Sequence, residues 1–532
     1  MRRALLCLVV FAALAAPARA ALWTALPPAV RPPLPAGTDV RGAITRARLT
    51  EAIDARSARR WRADVTRART VIHRLTGARH DELAAVLGAL DALAVTQRLT
   101  PARMPLAFLT LERNVREWRT RPFPATGERM TFGRDPAVFQ YFPGRGVQFH
   151  ALATAGVANA LAKPCQTAAT AIQARLLAEA DRRARDRLLG SEPAPARAAV
   201  DWGDCRRGRL RATLDRLVEL SARRGSFTAW EYQFSFGGGT PPWISAMTQA
   251  TAAQALARGA DALGDTRYRA TALAALGAFE TPPPLGVAVR GSTGREYLMY
   301  SFSPGLHILN GFLQSVIGLH DLAGLTGSAR AQHLYALGER TARGAVADYD
   351  TGAWSRYSLA GRESTLSYHS LLTGFLGGLC DRTSRAVYCD TAQRFTRYQH
   401  EPPRIRLTAP RRGTHNRGTV FSVWVSKISD LSVSVTGRHG PVLRRALTLP
   451  RGGLPFTWTP PRRGTFAIRV AAVGPEGLRR VERRTVRVRE DPRIVAARKR
   501  AARLRRQAAR RRAHRREARR EAAHRRARFH PG

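Results

Sequence analysis

The hydrophobic period of this chain changes once, at Pro402-Pro403, and that change limits the possible folds more than any other feature. Before it, apolar residues recur at three- and four-residue spacing, so 166–189, 208–222, 248–263, 328–347 and 384–399 read as amphipathic helices. Aromatic, Gly-rich segments without helical period separate them at 132–148, 226–245, 287–304 and 349–368. After it, seven short alternating runs between 405 and 489 stand roughly ten residues apart with turn residues between them. The expected fold class is multidomain and mainly α. A helical toroid of antiparallel pairs over 41–400, with its loops forming a cleft at one rim, precedes an immunoglobulin- or fibronectin-like β-sandwich at 404–489. The alternation in the sandwich reads as core packing, which favours a spacer or stabilising module over a binding one.

Charge is informative by where it clusters. Lys and Arg number 88 against 39 Asp and Glu, a formal net charge of +49, and the lysines are Lys163, Lys427 and Lys499 alone. Hydrophobic residues make up 44% of the chain, enough for a sizeable core, which excludes wholesale disorder. The stretch 21–492 carries a diffuse +31, whereas 493–532 carries +15 in 40 residues with hardly any large apolar side chain after Val495 beyond Leu504 and Phe529. The basic tail, 490–532, therefore cannot build a core. Its expected partner is an anionic cell-envelope polymer or membrane surface, with a solvated extension as the alternative.

Residues 1–20 read as a secretory signal peptide cleaved after Ala20: Arg2 and Arg3 precede the apolar run Ala4–Ala16, and Ala18 and Ala20 supply the small residues. A Pro-rich lead-in follows at 21–40. The expected location is secreted or envelope-associated, which makes a nucleic-acid partner unlikely. The four cysteines that remain, Cys165, Cys205, Cys380 and Cys389, suggest two disulfides, and pairing Cys380 with Cys389 and Cys165 with Cys205 gives the shorter loops. No spacing suggests a metal site. No G-x-G-x-x-G fingerprint or phosphate-binding loop is present, so no cofactor is expected.

Three segments gather chemistry-bearing residues in the helical part: 295–312, 349–357 and 366–369. They bring Tyr300, Tyr357 and Tyr368 together with Arg356, Arg362 and His369. These residues also carry a resemblance. YSFSPGLHILNGFLQSVIGLHDL (300–322) resembles the C-terminal domain of the D-glucuronyl C5-epimerase family, with Tyr300, Asn310, Ser315, Gly318, Leu319, Asp321 and Leu322 at the family's places. YDTGAWSRYSL is similar to the family's turn leading to a second Tyr, here Tyr357, and LSYH to its third, Tyr368 before His369. PPWISAMTQATAAQALARGADALGD (241–265) and YFPGRGVQFHALATAGVANAL (141–161) are similar to two upstream segments, the latter placing Gln148 at a matching position. The resemblance begins at about residue 130 and runs in colinear order to about 400. Met299 and Ser367 stand where the family has acidic residues.

The resemblance implies epimerisation at C5 of glucuronate-type residues in an acidic polysaccharide. Tyr300, Tyr357 and Tyr368 would move the proton, and Gln148, Asn310, Arg356, Arg362 and His369 would bind substrate. The physics suits the residue types: a proton α to a carboxylate leaves one face of the ring and another returns on the opposite face. Tyr is a weak base at neutral pH, with a pKa of about 10, unless cations favour its phenolate; Arg356, Arg362 and His369 are the expected source. Two alternatives are a polysaccharide lyase, which shares the abstraction step but expels the 4-linked sugar, and a non-catalytic envelope glycan-binding protein. The oligomeric state is not legible.

Overall fold

The computed structural model describes residues 39–188 and 202–528. The signal-peptide segment and almost all of the Pro-rich lead-in lie outside the described residues. The protein is multidomain and mainly α, and it divides into two compact units, Met1–Arg397 and Tyr398–Gly532.

The first unit opens with four helices, α1 (Val40–Leu49), α2 (Ala55–Ile72), α3 (Gly77–Val95) and α4 (Met104–Thr120). Asp39 and Asp54 cap α1 and α2 by accepting from the backbone N–H of Gly42 and Ser57 at 2.8 and 2.7 Å. Trp61 on α2 stacks on Phe108 of α4 with ring centroids 4.9 Å apart. A three-stranded antiparallel sheet follows, β1 (Arg129–Met130), β2 (Phe139–Phe142) and β3 (Gly146–Phe149). The chain then runs through α5 (Ala151–Leu188), α6 (Arg207–Glu219), the hairpin β4 (Ala222–Arg224) and β5 (Phe227–Ala229), α7 (Ala246–Leu263) and α8 (Thr266–Ala274). A second hairpin, β6 (Ala288–Arg290) and β7 (Arg295–Tyr297), precedes α9 (Leu309–Thr326), α10 (Ala329–Ala345), α11 (Leu366–Thr383) and α12 (Ala386–Tyr398).

The helices alternate in environment because they alternate in composition. α7 and α9 are buried on nearly every face, as expected for helices surrounded by others. Small residues let them approach closely: a Cβ on Gly318 would lie 2.7 Å from the carbonyl oxygen of Ala250. The helices that follow them, α8 and α10, bury only one side. α5, α7, α9 and α11 pack side by side in chain order. Disulfides Cys165–Cys205 and Cys380–Cys389 join α5 to the segment before α6 and α11 to α12.

Asp321 pins three of the packed helices. It accepts from Arg382 of α11 at 2.7 and 2.8 Å and from Arg258 and Gln254 of α7 at 2.6 and 2.7 Å. These guanidinium donors hold its carboxyl well below the usual carboxylate range despite its burial. Asp321→Ala strands two largely buried guanidinium groups, so it should cost about 3–5 kcal/mol, read as a lowered denaturant midpoint at unchanged slope. A loss below about 1 kcal/mol would show that the network adds little.

The second unit contains β8 (Ile405–Thr408), β9 (Arg412–Thr414), β10 (Thr419–Val425), β11 (Ser429–Gly437), β12 (Gly440–Leu449), β13 (Gly452–Trp458), β14 (Gly464–Val473) and β15 (Arg479–Arg489). They form two sheets in the orders β13-β10-β8 and β12-β11-β14-β15-β9. Alternate residues of both, including Phe421, Val423, Val433, Val435, Ile468, Val470 and Val486, fill one apolar core. β9 was not legible as a strand. Its three residues have no alternation, and it pairs parallel to β15. Lys427, almost fully buried, donates to the carbonyls of Tyr398 and Glu401 at 2.9 and 2.6 Å. The unit ends in α13 (Pro492–Arg528), whose described side chains are nearly all exposed.

Candidate active site

The N-terminal ends of α7, α9 and α11, and the segments leading into them, meet at one rim of the first unit. The Ala246 N–H donates to the Leu298 carbonyl and the Ser301 N–H to that of Ile244, each at 3.0 Å, and the Leu359 N–H donates to the carbonyl of His307 at 3.3 Å. The Ser301 hydroxyl also accepts from the Ile244 N–H at 3.1 Å. Helix N-termini gathered in this way present unsatisfied N–H groups and partial positive charge, a setting that favours an anion.

Three phenols occupy this rim. Tyr300 lies in the loop after β7, Tyr357 in the loop before α11, and Tyr368 in the first turn of α11, so Tyr368 is a helical residue rather than the loop residue its neighbours suggest. The Tyr357 side chain neighbours those of both Tyr300 and Tyr368, and the Tyr357 and Tyr368 rings lie 4.7 Å apart. Burial raises all three above the ordinary phenol range. For Tyr300 and Tyr368 the contact with Tyr357 raises them further, whereas the two neighbouring hydroxyls oppose the rise at Tyr357. The central phenol is therefore the easiest of the three to ionise. As a phenolate it accepts from both flanking hydroxyls.

Around the phenols stands an aromatic wall. Tyr232 stacks on Trp243 at 4.2 Å, Trp243 meets Tyr300 edge-on at 5.8 Å, and Tyr300 stacks on the half-exposed Phe302 at 5.3 Å. The wall segment is anchored by Glu231, whose fully buried carboxylate accepts from Arg103 at 2.6 and 2.9 Å and from Arg224 at 2.7 Å.

Facing the wall is a polar row across the three-stranded sheet: Arg129 of β1 pairs in register with Gln140 of β2, and Gln140 with Gln148 of β3. Arg129 Nε donates to Gln140 Oε1 at 3.3 Å, and its half-buried guanidinium has no carboxylate partner among the described residues. Its charge reaches Tyr232 and His150; burial first, then Arg129, holds the His150 imidazole down to about 3, so that ring is neutral. The hairpin carrying Gln148 is fixed by Glu82, which accepts from the Tyr141 hydroxyl and from the N–H groups of Gly144 and Gly146, all at 2.7 Å. Gly146 sits at φ +67°, where a Cβ would strike Asn114 at 2.4 Å, so a side chain there is excluded twice over. Arg129 and Gln140 escape a sequence reading because β1 is two residues long and β2 shows no polar alternation. Cross-strand register is the signal that unites them.

The family model of the D-glucuronyl C5-epimerase C-terminus matches residues 224–397. These residues belong to that family. The D-glucuronyl C5-epimerase of Caenorhabditis elegans is 32% identical over 181 residues, 30% of this chain and 29% of that protein. An uncharacterised protein of Methanocaldococcus jannaschii is 28% identical over 178 residues, 32% of this chain and 58% of that one. The chain thus spans well under two thirds of the length of either relative.

Within this epimerase-family segment, the candidate ligands fall in different places. Asn310 stands in the first turn of α9 with its Oδ1 buried and without a hydrogen-bond partner among the described residues, the kind of acceptor a ligand hydroxyl satisfies. Gln148, upstream of the segment, is buried and donates to the Arg145 carbonyl. Arg356 is half-buried and Arg362 exposed, and neither has a carboxylate partner among the described residues.

His369 is built into the core of the first unit. Its ring is fully buried and stacks on Trp354 at 3.8 Å; Nδ1 contacts the Ser355 hydroxyl at 2.8 Å and Nε2 the Phe395 carbonyl at 2.9 Å. His369→Ala should lower the melting temperature, by a core cost of about 2–4 kcal/mol, and leave KM unchanged for the folded fraction. A raised KM at unchanged stability would mark it as a substrate ligand. Glu296, three residues before Met299, lies on β7, and its Oε2 contacts His307 Nδ1 at 2.7 Å.

Proposed function

We propose that the protein is a uronyl C5-epimerase acting on glucuronate-type residues of an acidic polysaccharide. The observation that carries this reading is the convergence of Tyr300, Tyr357 and Tyr368 at a rim of helix N-termini. Tyr357 is the group that ionises and takes the C5 proton, breaking the C–H bond and leaving an enediolate on the substrate carboxylate. A flanking phenol, Tyr300 or Tyr368, parts from Tyr357 as the sugar ring enters between them, returns its own proton to the opposite face of C5 and is left as the phenolate. Arg129 and the N-terminus of α9 hold the carboxylate on which that charge develops, and Asn310 Oδ1 accepts from a sugar hydroxyl.

The packing of α5, α7, α9 and α11 side by side, with α6, α8, α10 and α12 as partners, supports a toroid, and two sheets around one core support an immunoglobulin-like second unit. The sequence of residues 1–20 supports secretion. The test is composition after incubation with a linear polyglucuronate: iduronate appears with no gain in ultraviolet absorbance. An absorbing unsaturated uronate would identify a lyase, and an unchanged polymer that is still bound would leave a glycan-binding protein.

The tail belongs to the same proposal as an electrostatic tether. Truncation after Asp491 should preserve turnover on short uronate oligosaccharides and weaken retention on an anionic polymer at low salt. Turnover lost with the fold intact would place the tail in the active site.

A further inference from the structure

The second unit carries a surface that its core packing does not require. On the outer face of the five-stranded sheet, Arg444 of β12, Ser434 of β11, Arg469 of β14 and Arg483 of β15 stand in one cross-strand row. Beside it, Arg487 of β15 pairs directly with Arg412 of β9. The parity is unambiguous: Val433, Val435, Ile468, Val470, Val486 and Val488 face the core, and these arginines alternate with them. Ser432, Thr436 and Thr485 fill the neighbouring outward positions. None of the five arginines has a carboxylate partner among the described residues.

Such a face is costly for a free domain. Like charges directly opposite on neighbouring strands destabilise a sheet, and here two pairs do so, Arg469 with Arg483 and Arg412 with Arg487. With strands about 4.8 Å apart, Arg444 to Arg483 spans about 14 Å across the sheet. The result is a flat strip of guanidinium groups edged by hydroxyls, suited to a linear chain that carries repeated carboxylate or sulfate groups and hydroxyls.

We propose that this outer sheet face binds a linear acidic polysaccharide across its strands, separately from the tyrosine site and from the tail. The choice of polysaccharide over other polyanions rests on the epimerase reading of the first unit.

The test compares the full chain with the triple variant Arg444→Ser, Arg469→Ser, Arg483→Ser and with a tail control, Arg511→Ser, Arg515→Ser, Arg519→Ser. Binding to immobilised linear polyglucuronate is measured against salt, with a single-stranded oligonucleotide as competitor. The sheet variant should lose affinity at low salt by at least about tenfold and show a shallower salt dependence than the tail control. Its melting temperature should hold or rise, because opposed charges have been removed. Equal losses in both triples, unchanged affinity, or a lowered melting temperature would overturn the proposal. So would tighter binding of the oligonucleotide. Because retention is read apart from C5 exchange, a chain that binds on this face yet exchanges no proton would refute the activity and not this surface.

Discussion

Tyr357→Phe should lower C5 proton exchange on a polyuronate by about 10²–10⁴-fold with little change in stability, because it removes a proton carrier and only one hydroxyl from the array. Tyr300→Phe and Tyr368→Phe should each lower it less than Tyr357→Phe does, since each leaves the central phenol one flanking donor. The pH dependence follows from the direction of the shifts. All three folded-state values lie above the ordinary phenol value, so the phenolate is scarce at neutral pH and grows about tenfold per pH unit below its apparent pKa. Exchange should therefore climb through pH 7–9 without a plateau, and the apparent value belongs to the trio rather than to one residue. A plateau below pH 8 would require a base other than this array.

Arg129→Gln gives the second large effect. The guanidinium is half-buried, bonded only to the Gln140 side chain, and lacks a carboxylate among the described residues, so a substrate carboxylate is its natural counter-ion. Its loss should raise KM by about 10²-fold, equivalent to about 3 kcal/mol. The Gln variant keeps a donor toward Gln140, so the melting temperature should move little. If KM stays unchanged while stability falls, Arg129 is a sheet residue and the carboxylate is held elsewhere.

The contrast between these two predictions marks what the sequence could disclose. The three tyrosines were legible because each lies in a short segment with a recognisable spacing, and the structure brings them together at one rim. The helical segments were legible from their apolar period, although α5 extends well upstream of 166, where Ala-rich residues blur that period. The three short sheets of the first unit were not, because strands of two to four residues are too brief to alternate. Arg129 thus went unseen, although Gln148, at the far end of the same cross-strand row, was noticed. The place of His369 was hidden for a related reason: nothing in Ser-Tyr-His tells that the imidazole packs against Trp354 and Phe395. In the second unit the alternation was read as core packing, which it is on one face. The arginines on the other face acquire meaning only once four strands are laid side by side.

The most direct measurement is deuterium incorporation at C5 of a linear polyglucuronate incubated with the protein in D₂O and followed by NMR. The account predicts loss of the C5–H signal, appearance of iduronate, no unsaturated product, and exchange about 10²–10⁴-fold slower in Tyr357→Phe. A polymer that keeps its C5 protons while bound to the folded protein would contradict it.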